Sequence, residues 1–195
     1  ALLLLAGCRL PEEDAAMLKT DAYLETVPAD KRAVVRPTAE NLSENSLEYK
    51  QFCRKLTAVL QSKGYDTNAD TPAVIINLDF GVKNTNTLHV KYGFNTPEKP
   101  HSYDEVSGSL ASVYTRRKLY SKFVKLTAVD AARPKRELWK VEVVKEDAAE
   151  DFRSAQNELL YLLSKYIEAD SSEQIKGTVL DTELYQRFVL KLSAG

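Results

Sequence analysis

The residues best placed for chemistry in this sequence are a cysteine and the small side chains that precede it. The chain opens Ala1-Leu2-Leu3-Leu4-Leu5-Ala6-Gly7-Cys8. A run of leucines followed by small residues is typical of the end of a secretory signal segment. The thiolate of cysteine is a nucleophile, and small side chains at Ala6 and Gly7 leave room for a peptidase at the bond before Cys8. The pattern predicts that Cys8 is modified at its sulfur.

Leu5, Ala6, Gly7 and Cys8 together resemble the lipobox of bacterial lipoproteins. The resemblance implies lipidation of Cys8 with a diacylglyceryl group and, in many Gram-negative bacteria, a further fatty acid such as palmitate on the new amine. Each buried methylene contributes about 0.8 kcal/mol, so two or three chains anchor a protein to a membrane. Arg9 stands where an aspartate would favour the inner membrane, which indicates the outer membrane, facing the periplasm. The alternative is a buried amino-terminal strand with an ordinary core cysteine.

The histidines and carboxylates do not form a recognisable catalytic or metal-binding pattern. His89 falls in a predicted strand and His101 in a predicted loop, and neither lies in a nucleophile signature. Neither a CxxC nor an HExxH spacing accompanies them, as a zinc site would require. Asp79 and the pair Glu150-Asp151 are explained by a polar strand face and by the start of a helix. The sequence therefore predicts no enzyme, no metal and no cofactor.

Composition and charge describe an ordinary globular chain. Its 195 residues carry 27 basic and 28 acidic side chains, a net charge of −1. This balance argues against nucleic acid as a partner, because such proteins carry a clustered basic excess. We predict a signal-peptide remnant at 1–7, a lipidated cysteine and tether at 8–30, and a single periplasmic α+β domain at 31–195.

One basic cluster has a spacing that could serve an anionic partner. Arg116, Arg117 and Lys118 follow Tyr114 and precede Tyr120 in a predicted strand. Such a cluster could contact an anionic polymer or a lipid headgroup. The alternative is a solvated strand face, whose charges discourage pairing between sheet edges.

The first half of the chain predicts one helix and several strands. Residues 33–37 are a short strand, and a helix capped by Ser43 or Ser46 ends at Gly64. Apolar residues then alternate over 73–82, as in a half-buried strand. Asn84-Thr85-Asn86-Thr87 predicts a turn, with a second strand returning over 88–94 and a loop at 95–109.

The second half predicts a hairpin and a second helix. Residues 111–129 form one long strand or two, with a slip in the facing of side chains near Lys122-Phe123. A charged turn at 130–137 leads into the strand of Trp139. Asp147 is the predicted cap of a helix that continues to Ile167, and strands are predicted at 175–180 and 185–192. The predicted class is α+β, a mostly antiparallel sheet with two amphipathic helices packed on one face.

Three stretches of the sequence are similar to bacterial lipoproteins of domain-of-unknown-function family 4136. They are residues 46–65, residues 71–76, and the late segments Val129-Asp130, Leu138-Trp139-Lys140, Asp151-Phe152-Arg153 and Tyr166-Ile167. The resemblance covers roughly residues 30–180 and implies a lipobox, a helix that ends in a Gly-aromatic step, and a tryptophan strand before a second helix. It supplies no catalytic residues.

These observations favour a lipid-anchored cell-envelope protein of binding or scaffolding type. Its expected partners are the membrane, through the lipid anchor, and another envelope protein. Two alternatives stay open: a periplasmic carrier of a small apolar or anionic ligand, and an envelope hydrolase. A wide apolar pocket would favour the carrier, and a histidine beside a serine or carboxylate in one cleft would favour the hydrolase.

Overall fold

A computed structural model describes residues 17–38, 46–93, 112–171, 175–176 and 182–193. Side chains are described throughout these ranges except at 17, 84–93, 112–117 and 175–176. The strands are β1 (Met17–Leu24), β2 (Ala33–Pro37), β3 (Val74–Gly93), β4 (Ser112–Asp130), β5 (Arg133–Asp147) and β6 (Ile175–Lys176). The helices are α1 (Leu47–Ser62), α2 (Gln156–Tyr166) and α3 (Thr182–Ser193), with a 3-10 turn at Phe152–Ser154.

The strands form one mixed sheet in the order β2-β3-β4-β5-β1-β6. Strand β2 runs parallel to β3, and the other neighbours are antiparallel. The predicted α+β class with a mostly antiparallel sheet is confirmed. The predicted number of helices is wrong, because α3 forms where a strand was expected.

The core lies between the sheet and the helices α1 and α2. Alternate side chains of β3, β4 and β5 are buried there, as the two-residue period of a strand requires. Phe52 of α1 stacks on Phe80 of β3 with ring centroids 4.5 Å apart, and Phe152 meets Phe52 edge-on at 5.7 Å. This aromatic cluster joins the first helix, the centre of the sheet and the turn that leads into α2.

Helix α1 begins and ends where its local sequence predicts. The Ser46 hydroxyl accepts a hydrogen bond from the backbone N–H of Tyr49 at 3.1 Å, which satisfies one of the otherwise unpaired donors of the first turn. Gly64 follows the helix with φ of 85°, a left-handed conformation that glycine adopts without a steric penalty. The predicted cap at Ser46 and the predicted end at Gly64 are both confirmed.

A buried chain of hydrogen bonds ties the far end of α1 to α2 and the sheet. The indole N–H of Trp139 donates to the Tyr65 hydroxyl at 2.8 Å, and that hydroxyl donates to the Glu168 carboxylate at 2.8 Å. The other carboxylate oxygen of Glu168 accepts from the Lys31 ammonium at 2.7 Å. Glu168 is the one non-glycine residue with a positive φ, 62°, among the described residues. Its two bonded partners, Tyr65 and Lys31, hold it in this unfavourable conformation.

The turn predicted at Asn84–Thr87 is wrong, because β3 runs through it without reversing. A register shift between Asn84 and Asn86 absorbs the extra residue as a bulge. Strand β4 is likewise one strand. Pairing of β4 with β5 starts at Tyr120, so within the described part of the chain Asn84–Gly93 and Ser112–Leu119 continue as a two-stranded ribbon without a third strand. The predicted loop at 95–109 lies outside the described residues.

Two predictions near the chain ends are also wrong. The tether predicted over 8–30 includes Met17–Leu24, which is β1 and pairs with β5 along its whole length. Residues 185–192, predicted as a strand, lie in α3, where Tyr185, Phe188 and Leu192 are half-buried at helical spacing. The strand predicted at 175–180 is described only as β6, Ile175–Lys176.

We expect the change Tyr65→Phe to destabilise the domain by about 2 kcal/mol, because it leaves the buried Trp139 N–H without an acceptor. Chemical denaturation at pH 7 measures this loss. Tyr23→Phe is the matched control, since Tyr23 is 57% exposed and should leave stability unchanged. Equal stability of the wild type and Tyr65→Phe would contradict the assigned role of this hydroxyl.

The stabilities of the wild type and of Tyr65→Phe should also depend differently on pH in alkaline solution. Burial raises the pKa of the Tyr65 phenol far above its ordinary value of 10.0, and the bond to Glu168 raises the pKa further. The unfolded chain therefore loses this proton above about pH 10 while the folded chain keeps it, so wild-type stability falls by up to about 1.4 kcal/mol per pH unit relative to Tyr65→Phe. Parallel stability curves for the two proteins from pH 9 to 11 would contradict the burial of this phenol.

Candidate functional site

The sheet presents a polar surface on the side away from α1 and α2. This surface, the open face, consists of alternate side chains on four neighbouring strands: Asn77, Asp79, Lys125, Thr127, Lys140, Glu142, Asp21 and Tyr23. Buried core residues occupy the positions between them, so the pleat directs these eight side chains to the opposite side.

A row of charges of both signs crosses the open face in register, with one lysine among three carboxylates. Asp79 lies opposite Lys125, Lys125 opposite Glu142, and Glu142 opposite Asp21. Thr38 joins Asn77, Asp79, Lys125 and Thr127 around a shallow cavity of about 300 Å³. Among the side chains that the structure describes, none forms an ion pair with Asp79 or Lys125 within 4 Å. Both charges are therefore available to a partner.

A buried cluster of charges lies where the sheet narrows to the ribbon. Lys122 has 0% of its side chain exposed and forms an ion pair with Asp147 on the helical side of the sheet. Lys145 lies 3.4 Å from Asp147 and 2.7 Å from Glu158 of α2. Phe123, the next residue of β4, lies on the opposite side of the sheet. Its ring is next to Gly81 and beneath the Lys83 ammonium. This inversion of polarity is the physical cause of the slip that the sequence shows at Lys122-Phe123.

The pairing also explains why Asp147 does not cap a helix as predicted. Asp147 ends β5, and its carboxylate accepts from the Lys122 ammonium and the backbone N–H of Ala149. Burial by itself would raise the pKa of Asp147, but these bonds outweigh it and hold the pKa below 3.8. Desolvation likewise opposes the charge of Lys145, while Glu158 and Asp147 keep its pKa raised. The cap before α2 is instead Asp151, which accepts from the backbone N–H of Arg153 at the 3-10 turn.

A second concave surface lies on the outer side of the helices. This surface, the helix groove, has a volume of about 810 Å³ and lies between α1, the start of α2 and the carboxyl end of α3. Arg54, Lys55 and Arg153 line it together with Gln51, Gln156 and Leu192. The local sign of this juxtaposition is limited to two adjacent basic residues, Arg54 and Lys55, within the predicted helix. The contribution of α3 could not be anticipated from a predicted strand.

Most of the residues singled out for chemistry in the sequence lie outside the part of the chain that the structure describes. Leu5, Ala6, Gly7, Cys8 and His101 lie outside the described residues. Pairing in the ribbon sets Arg116 opposite His89, Arg117 opposite Leu88, and Lys118 opposite Thr87. Lys118 is exposed, and the side chains of Arg116 and Arg117 are not among those that the structure describes.

No group of three or more histidine, cysteine or acidic side chains could hold a metal ion among the described residues. No described helix combines the length and hydropathy needed to traverse a bilayer.

We expect Lys122→Met to destabilise the domain by about 3 kcal/mol, because it leaves the partly buried Asp147 carboxylate without its main partner. The double variant Lys122→Met with Asp147→Asn should recover much of this loss, since both charges are then removed together. Urea unfolding of the wild type, the single variants Lys122→Met and Asp147→Asn, and the double variant at pH 7 measures the difference. A double variant as unstable as the sum of both single changes would show that the two side chains do not interact.

Comparison with known proteins gives distant structural similarities. No known family model matches the chain, and no curated protein matches it in sequence. The resemblance to family 4136 therefore stays a prediction. A PDZ domain protein from Parabacteroides distasonis is similar with 11% identity and a TM-score of 0.45, over 84% of this chain. The chain spans only 39% of that protein's length.

Two further solved structures are similar over most of their own length. The PelC dodecamer from Paraburkholderia phytofirmans has 10% identity and a TM-score of 0.41, covering 77% of this chain and 98% of that one. A minor lipoprotein from Acinetobacter baumannii has 14% identity and a TM-score of 0.26, covering 84% of this chain and 93% of that one.

Proposed function

We propose that this chain is a lipid-anchored cell-envelope protein that acts by binding rather than by catalysis. The observation that carries the proposal is the placement of Cys8, directly after a leucine run with Ala6 and Gly7, and shortly before β1. A thioether at Cys8 bearing acyl chains supplies a stable anchor without a membrane-spanning helix. Arg9 favours the outer membrane, with the domain on the periplasmic side.

The open face supports a binding role, and its partner is another envelope protein with a polar contact surface. The row across neighbouring strands carries charges of both signs, so a partner with the complementary order of charges gains several favourable pairs in one register. Such a pattern gives specificity through the mismatch penalty of every other register. A ligand with a single sign of charge would instead be repelled either by Lys125 or by the three carboxylates of the row.

The interior offers less support for a carrier of an apolar ligand between helices and sheet. The space there is occupied by the packed rings of Phe52, Phe80 and Phe152. The helix groove, on the outside of the helices, is the feature that favours a small anionic ligand.

The lipid anchor can be tested by metabolic labelling with palmitate in the full chain with its own export signal. We expect label in the wild-type protein and in Cys53→Ser, and none in Cys8→Ser, since the thioether needs the Cys8 sulfur. Cys53 is a matched control because it is the other cysteine, half-buried on α1. Label on Cys8→Ser, or an unmodified Cys8 in the mass spectrum of wild type, would overturn the anchor.

The binding surface can be tested by exchanging its charges without changing the net charge. We expect Asp79→Lys with Lys125→Glu to abolish cross-linking to an envelope partner, because the two side chains are cross-strand neighbours and the exchange reverses their pattern. Glu183→Arg with Arg187→Glu makes the same exchange within an ion pair on α3 and should leave cross-linking intact. Equal cross-linking of both exchanged proteins would exclude the open face as the contact surface.

A further inference from the structure

The helix groove gathers positive charge from two separate elements. Arg54 and Lys55 extend from α1, and Arg153 extends from the 3-10 turn before α2. The two elements are about one hundred residues apart in sequence, so the juxtaposition is a product of the tertiary fold. The net charge of the whole chain is −1, so this local excess is not a reflection of overall composition.

The cations of the helix groove are incompletely neutralised by the protein. Lys55 donates to the side-chain oxygens of Gln156 and Asn157, both at 3.1 Å, and these groups are neutral. Arg153 pairs with Asp151 at 3.2 Å, which leaves other donors of its guanidinium available. Within the ranges that the structure describes, no carboxylate lies within ion-pair distance of Arg54 or Lys55.

We propose that the helix groove binds a phosphate ester. Arg54 and Arg153 can each present a planar pair of donors to phosphate oxygens, and Lys55 adds a point charge held in place by its two amide partners. The side-chain amides of Gln51 and Gln156 supply further polar groups that can orient the ligand. The volume of about 810 Å³ exceeds what a bare phosphate fills, and Leu192 provides an apolar wall for the remaining part of the ligand.

The same phosphate ester chemistry occurs in a phospholipid headgroup and in a soluble phosphorylated compound. Two probes distinguish them. One is phosphatidylglycerol mixed into phosphatidylcholine vesicles, measured by co-sedimentation against phosphatidylcholine alone. The other is glycerol 1-phosphate in solution, measured by calorimetric titration. The full chain carrying Cys8→Ser is used in both, so vesicle binding cannot arise from acyl chains and the outcome is independent of the proposed anchor.

We expect Arg54→Gln with Lys55→Gln to weaken binding about tenfold or more, because charge-assisted hydrogen bonds to phosphate are lost. Lys50→Gln with Lys191→Gln is the control, since it also removes two positive charges, from α1 and α3 that border the groove, but at positions outside the groove lining. The control should bind within about twofold of the parent chain. Arg54→Gln alone, at an exposed position, gives the same test if the double variant unfolds.

Each outcome bears on the proposal. Binding of glycerol 1-phosphate that depends on Arg54 and Lys55 supports a soluble phosphate ester as ligand. Binding only to phosphatidylglycerol vesicles, with the same dependence, supports a headgroup. No binding of either probe, or an equal loss of affinity in the groove and control variants, would overturn the proposal. The groove would then be an ordinary solvated surface.

Discussion

The stacking of Phe52 on Phe80, with Phe152 against both rings, determines which side of the sheet is covered. It fixes α1 over the centre of β3 and brings the turn before α2 to the same place. Because α1 and α2 both pack on this side, the opposite side keeps its polar strand residues. The two candidate surfaces follow from this one arrangement: the open face lies on the uncovered side of the sheet, and the helix groove lies on the outer surface of the covering layer.

Beyond the aromatic cluster, the helical side of the sheet changes from apolar to charged. Val124 is buried among hydrophobic residues, but two positions earlier Lys122 is buried against Asp147. An ion pair tolerates burial only where its charges are mutually satisfied, and Lys145 and Glu158 extend the network towards α2. This change coincides with the end of β5, after which β3 and β4 continue as the ribbon. The charge cluster thus marks the limit of the hydrophobic core.

Local signals in the sequence were sufficient for α1, whose cap at Ser46 and end at Gly64 depend only on neighbouring residues. They were insufficient for β1, where Lys19, Thr20 and Asp21 read as a polar tether until β5 pairs with them. The stretch Phe188-Val189-Leu190 has strand-like composition, and its helical state is stabilised by the contact of Phe188 and Tyr185 with Tyr161. Propensity is a weak guide where such tertiary contacts decide.

The two candidate surfaces were also predictable only in part from the sequence. The alternation over residues 73–82 already indicated a polar strand face at Asn77 and Asp79. The order of charges across the open face depends on how β4 and β5 pair with their neighbours, and the sequence of a single strand does not show this register. Arg54 and Lys55 were visible as polar residues of a helix, but Arg153 joins them only through packing of α2 against α1. The pairing of Lys122 with Asp147 was hidden for the same reason, although the slip at Lys122-Phe123 was its local sign.

The position of β1 has a mechanical consequence for a chain attached through Cys8. Met17 is nine residues beyond Cys8, a stretch that spans at most about 30 Å when fully extended. With the proposed anchor at Cys8, a pull directed along β1 would act on the described part of the fold through this strand. Eight successive residues of β1 are paired with β5, so the load is carried in shear by many backbone bonds at once, rather than by peeling them apart one after another.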